Sequence, residues 1–197
     1  MHAYVQRFTD RCIRAGIVRS EDAAWFAYGV ERRLSTLFVA IPFFALAVIL
    51  TNLLTALFFY TGFFLLRRMT NGYHAKTVTG CLITSVIAEV ILCVGIYPFL
   101  NIWVMLPLCG FCAILIFCLA PYLHKNLPLD KAQIAYCRKH ARIRSIIIFA
   151  VVLASALLKL TNIARGLTLG IAMASGMLCV PYIKRKVIEK WQITLKS

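Results

Sequence analysis

Apolar residues fall along the chain in five long runs: Thr36 to Leu66, Leu82 to Leu100, Ile102 to Leu123, Ile146 to Leu160 and Leu167 to Ile183. Short polar segments rich in arginine and lysine separate them. Most runs approach the length of helix that crosses a ~30 Å hydrocarbon core. The first is 31 residues long with Thr51-Asn52 near its centre, so it divides into two short crossings joined by a tight turn. The pattern therefore predicts an all-α polytopic membrane protein with six transmembrane helices.

Charge supplies an independent test of that count. With both termini in the cytoplasm, the inner segments are residues 1–33, 67–81, 124–144 and 184–197, flanking crossings within 34–66, 82–123 and 145–183. The inner segments hold 6, 3, 6 and 5 lysines and arginines, which is 20 of the 22 in the chain, and leave only Lys159 and Arg165 outside. Five or seven helices would spoil this positive-inside bias. The net charge of +15 thus reads as a topology signal and an attraction to anionic lipid headgroups rather than to nucleic acid. Composition agrees: 197 residues that are 61% hydrophobic and 15% charged have too little polar surface for a water-soluble domain.

The first 33 residues lack the continuous apolar stretch of a cleavable signal peptide, so the first membrane helix is expected to do the targeting. Within them Val5, Phe8, Cys12 and Ile13 recur at helical spacing opposite Arg7, Arg11 and Arg14, the pattern either of an amphipathic helix in the membrane interface or of an ordinary surface helix without membrane contact. Gly16 to Arg19 break this helix. Ser20 then offers an N-cap for a second one, with Glu21 and Asp22 favoured by the helix dipole. The eight cysteines are scattered and mostly lie in membrane segments, where Cys packs as a small polarizable residue, so no structural disulfide is expected. Pro121 and Pro128 mark a helix stop. The loop after them carries Lys131 and the basic stretch Arg138-Lys139-His140-Ala141-Arg142-Ile143-Arg144. It serves either as a positive-inside anchor or as a cradle for the acidic part of a peptide. Gly166, Gly170 and Ala174 have the spacing that lets helices approach closely, for a homodimer or for a contact within one chain.

The chemistry concentrates in RRMTNGYHAKTVTGCLITS, residues 67–85. A cysteine becomes a useful nucleophile when an imidazolium and a helix N-terminus stabilise its thiolate. Thr79-Gly80 before Cys81 suits a helix start, which puts Cys81 in the first turn of the third crossing beside free backbone N–H groups fit for an oxyanion hole. One unbroken helix would hold His74 and Cys81 roughly 10 Å apart along its axis. Spacing alone leaves two readings, a solvated loop histidine near a packing cysteine or a working pair, and the pair needs a break between them, with Thr77, Thr79 and Gly80 as the residues to make it. Gly72 relaxes the backbone beside the histidine. Arg67 either orients a carboxylate or snorkels to headgroups. Glu89 shares a helix face with Cys81 and Ser85, deep in the bilayer, where it either orients polar groups below the site or stays protonated and bonded to a neighbour.

Arg67-x4-Gly72-x-His74-Ala75-x5-Cys81, on a basic loop between the second and third crossings of a six-crossing chain, resembles the accessory gene regulator B (AgrB) family. The basic loop after Pro121 fits the family too. The resemblance implies a bacterial plasma-membrane cysteine endopeptidase that matures an AgrD-like propeptide for quorum sensing. His74 would match the catalytic histidine and Cys81 the nucleophile, with Arg67 and Gly72 at positions the family relies on. The implied reaction runs through a thioester on Cys81 to a cyclic thiolactone or lactone and needs no cofactor or metal. Asn71-Gly72 stands where the family often has two glycines.

Two rival readings are a membrane thiol oxidoreductase using the C-x-x-C pair Cys109 and Cys112, and a non-enzymatic small transporter or scaffold. The second lacks the internal repeats or paired broken helices of transporters. Pro42 and Asn52 are the hints of discontinuity that favour it.

Overall fold

The computed structural model describes residues 2–71, 78–122 and 130–194, and these form helices with no strand among them. The chain divides into two compact units, residues 1–45 and 46–197.

In the first unit, α1 (His2–Arg14) buries Val5, Thr9 and Cys12 along one face and exposes Arg7, Arg11 and Arg14 on the opposite one. It ends where Gly16 takes a left-handed φ of 70°. Gly16 N–H then donates to Ile13 and Ile17 N–H to Cys12, at 2.9 and 3.0 Å, the paired bonds of a glycine-closed C-terminus. A 3-10 turn, Ser20–Asp22, leads into α2 (Ala23–Leu50). Ser20 thus opens this turn, and the α-helix starts three residues later. Phe8 of α1 stacks on Phe26 of α2 with ring centroids 6.2 Å apart, while Trp25 and Tyr28 stay exposed.

The second unit opens with the turn anticipated in the first apolar run. Thr51 doubles back on Ala47 O through its amide and hydroxyl, at 2.9 and 2.7 Å. Asn52 then caps α3 (Leu53–Thr70), its side-chain oxygen accepting Thr55 N–H at 2.8 Å. The next span is composite: α4 (Val78–Val90), a widened π turn (Ile91–Ile96) and a 3-10 turn (Tyr97–Phe99). There follow α5 (Ile102–Leu119), α6 (Lys131–Leu157) and α7 (Thr161–Thr194). Two boundaries differ from expectation. Asp130 and Gln133 form a capping box, so the basic stretch 138–144 lies inside α6 rather than in a loop. The tail beyond Ile183 likewise continues α7.

Four helical stretches among the described residues are long and apolar enough to cross a bilayer: Leu82–Phe99, Ile102–Leu119, Lys131–Leu157 and Thr161–Ile183. The six crossings read from the sequence are not matched in full. The 18-residue α3 ends in Arg67-Arg68, which dilutes its apolar character, and within α2 the described apolar stretch is Ala40–Leu50.

α7 is the hub, with 72% of its membrane window buried against 17% for the span that begins with α4. Its packing on α3 depends on missing side chains. A Cβ at Gly166 would stand 2.5 Å from Thr55 O, and one at Gly170 2.6 Å from Phe59 O. The small-residue spacing therefore serves a contact within the chain, backbone against backbone. Around it Phe59, Leu66, Ile116, Val152, Leu169 and Ile171 fill the core, while Trp103, Phe111, Ile114 and Leu157 face outward as a lipid-exposed surface does. Gly166→Ala and Gly170→Ala are each expected to destabilise the protein by about 1–3 kcal/mol through overpacking. Gly176→Ala, where an added Cβ meets nothing within 4 Å, should not destabilise it; thermal unfolding in detergent compares the three.

Candidate active site

The segment singled out in the sequence joins α3 to α4. Arg67 sits half-buried in the last turn of α3, and Asn71 ends that helix in a left-handed conformation, φ 47° and ψ 38°. Asn is one of the few residues that tolerate this geometry. Gly72 and His74 lie outside the described residues. The chain is helical again from Val78, so Thr79 and Gly80 belong to α4 rather than to a break before it, and Thr77 lies outside the described residues. Cys81 is the fourth residue of α4, in its first turn; its side chain lies outside the described residues.

Polar contacts knit the helix ends on this side of the second unit. Asn71 Nδ2 donates to Tyr122 O at 3.1 Å, while Tyr122 N–H donates to Thr70 O at 3.0 Å. This reciprocal pair ties the exit of α3 to the chain after α5, where Ala120-Pro121 is cis. Arg144 Nη1 supplies a partner from α6 to Leu65 O of α3 at 2.6 Å, while the last carbonyls of α5 have none within their own helix. Arg142 Nε supplies one to Phe117 O at 3.1 Å, with its guanidinium 4.4 Å from the centre of the Phe117 ring. Tyr182 of α7 completes the set by donating to Leu119 O at 2.9 Å. Cations at helix C-termini also meet the negative end of the dipole.

The basic stretch therefore divides by role. Arg142 caps α5 and Arg144 bonds to α3, whereas Lys131, Arg138 and Lys139 are exposed on the first turns of α6. At the opposite end of the unit, Arg165 Nε donates to Leu100 O at 2.8 Å and Asn52 Nδ2 to Tyr97 Oη at 3.2 Å. Arg165, one of the two cations assigned to the outer side, thus lies away from the caps of α3 and α5.

Below Cys81 on α4, Ser85 is half-buried and Glu89 fully buried. Tyr60 of α3 donates its hydroxyl to Glu89 Oε1 at 3.3 Å, and Glu89 Oε2 has no hydrogen-bond partner among the described residues. Tyr60 was not singled out in the sequence. A signal existed: Glu89 is the one acidic residue between Arg32 and Leu129, and a buried tyrosine hydroxyl in an apolar run needs a partner.

The seven described cysteines are free thiols. Cys109 and Cys112 are both buried on α5. Among the described residues no group of three His, Cys, Asp or Glu side chains could hold a metal ion.

The architecture is that of a polytopic helical membrane protein whose sequence-matched site lies at the junction of two helices. Residues 5–179 match the family model of accessory gene regulator B, and the chain belongs to that family. Membership points to a role in processing the agr quorum-sensing peptide. Comparison with curated proteins and with solved structures gives no match.

The Asn71 clamp is testable by stability alone. Asn71→Gly keeps the left-handed conformation and loses only the amide contact, whereas Asn71→Ala adds backbone strain of about 1–2 kcal/mol. Thermal unfolding should accordingly rank wild type above Asn71→Gly and Asn71→Gly above Asn71→Ala.

Proposed function

We propose that the protein is a cysteine endopeptidase of the bacterial plasma membrane that cleaves and cyclises an AgrD-like propeptide. His74 accepts the Cys81 proton, and the thiolate attacks a backbone carbonyl at the C-terminal side of the future signal. The C–N bond breaks, the departing amine takes the proton from His74, and the N-terminal part of the peptide remains as a thioester on Cys81. A Cys thiol or Ser hydroxyl inside the bound peptide attacks that thioester, closes the ring and returns Cys81 to the thiol. Water competes for the same intermediate, so a site at the membrane surface favours cyclisation over hydrolysis.

The observation that carries this reading is family membership over residues 5–179 together with the family's Arg, Gly, His and Cys at 67, 72, 74 and 81. The start of α4 at Val78 supports it. A nucleophile in a first helical turn has backbone N–H groups and the positive dipole end beside it, both suited to the oxyanion of an acyl transfer. The same reading takes all six apolar segments as crossings with both termini in the cytoplasm, so that loop 67–81 meets the propeptide at the inner face. There Lys131, Arg138 and Lys139 supply an exposed cationic surface for an acidic part of the propeptide, and Arg7, Arg11 and Arg14 one for anionic lipid.

Purified protein in liposomes, mixed with candidate precursors, should yield a peptide thioester on Cys81 detectable by mass spectrometry. Cys81→Ala should abolish it and His74→Ala should slow its formation at least about a hundredfold. An uncut precursor with wild-type protein overturns the reading. Reversing charge at Arg138 and Lys139 should weaken precursor binding, and more so at low salt, while leaving thermal stability within about 0.5 kcal/mol.

A further inference from the structure

The residues from 82 to 90 form the regular part of α4 below the nucleophile, and their burial is uneven. Ile83, Ile87 and Val90 are exposed, the others are intermediate, and Glu89 alone is fully buried. The one residue of this stretch that is wholly inside the protein is thus its acid. Its contact is Tyr60, on α3. The tyrosine ring is itself held, 5.2 Å from Phe59 and 5.7 Å from Phe64.

This arrangement is poor as a stabilising device. Glu89 Oε2 is buried without a partner among the described residues, which costs free energy that a leucine would not. It is better suited to locating a helix. From Cys81 to Glu89 α4 is a regular rod about 12 Å long, and directly beyond Val90 the winding changes to the π turn Ile91–Ile96. A bond at the base of the rod fixes its depth and tilt, whatever the irregular turns below it do.

We propose that the Tyr60–Glu89 hydrogen bond is a positioning tether that holds α4, and with it the first turn carrying Cys81, in register with α3. The inference rests on the reading of Cys81 as the nucleophile; Tyr60 and Glu89 touch no reacting atom. A displacement of about 1 Å in a near-attack geometry is enough to cost one to two orders of magnitude in rate.

Two measurements test it. The first is the rate of thioester formation in liposomes. Tyr60→Phe and Glu89→Leu should each slow it about tenfold or more with precursor affinity unchanged. Glu89→Gln, whose amide oxygen still accepts the tyrosine bond, should stay within about twofold of wild type. The double variant Tyr60→Phe/Glu89→Leu should be no slower than either single variant, because one bond is lost in all three. The second measurement is the distance distribution between spin labels carried on unnatural amino acids at Arg68 and Ile83, both exposed and flanking the junction. It should be narrow in wild type and Glu89→Gln and broad in Tyr60→Phe and Glu89→Leu.

Unchanged rates in Tyr60→Phe and Glu89→Leu overturn the tether, as do unchanged distance distributions. So does a Glu89→Gln as slow as Glu89→Leu, which would mean that the carboxylate itself is required. If Glu89→Leu does not fold, Tyr60→Phe decides. A wild type that forms no thioester counts against the peptidase reading itself, and the label distances then decide the tether alone.

Discussion

The fold of the larger unit depends on the close approach of two backbones. Gly166 and Gly170 let α7 lie against α3 with no side chain between them, at positions where even a methyl group would meet a carbonyl oxygen at 2.5–2.6 Å. In a bilayer, lipid tails are as apolar as leucine, so helix association rests on such packing and on polar contacts between helices. With α3 fixed on the hub, its exit at Asn71 is fixed as well, and Tyr122 ties that exit to the end of α5. The chain thus leaves α3 from a tied point.

The unit is built asymmetrically around this point. α7 is largely buried, whereas the span beginning with α4 is only 17% buried, with Glu89 and, in the π turn below it, Leu92 and Cys93 as its buried residues. The helix proposed to carry the nucleophile is therefore the less embedded partner of the pair. A tied exit on the α3 side and a buried polar attachment on the α4 side suit a site that must admit a peptide chain and still present a thiol in one geometry.

Much of this was legible in the sequence because the bilayer restricts what a chain can do. Apolar runs located the helices, Thr51-Asn52 located the turn between α2 and α3, and Pro121 marked the end of α5. The family followed from four residues at fixed spacing, and residues 5–179 match its model. What the sequence left open was tertiary. Local spacing does not tell whether a glycine stripe serves one chain or two, and only the approach of α3 decided it. The run 138–144 reads as uniform positive charge, yet the rotation of α6 gives Arg142 and Arg144 to carbonyls far away in sequence and leaves Arg138 and Lys139 exposed. The start of α6 was missed because the capping box at Asp130 and Gln133 was outweighed by the density of charge after it.

Cys109 and Cys112, whose spacing suggested a redox pair, are both buried free thiols of α5. The account thus turns on which of the eight cysteines is chemically distinct. Alkylation of the native protein in liposomes, followed residue by residue, measures this most directly. The account predicts that Cys81 reacts far ahead of the others and that His74→Ala removes its advantage. A Cys81 no faster than the exposed Cys118, or a reversible disulfide between Cys109 and Cys112 as the dominant thiol chemistry, would contradict it.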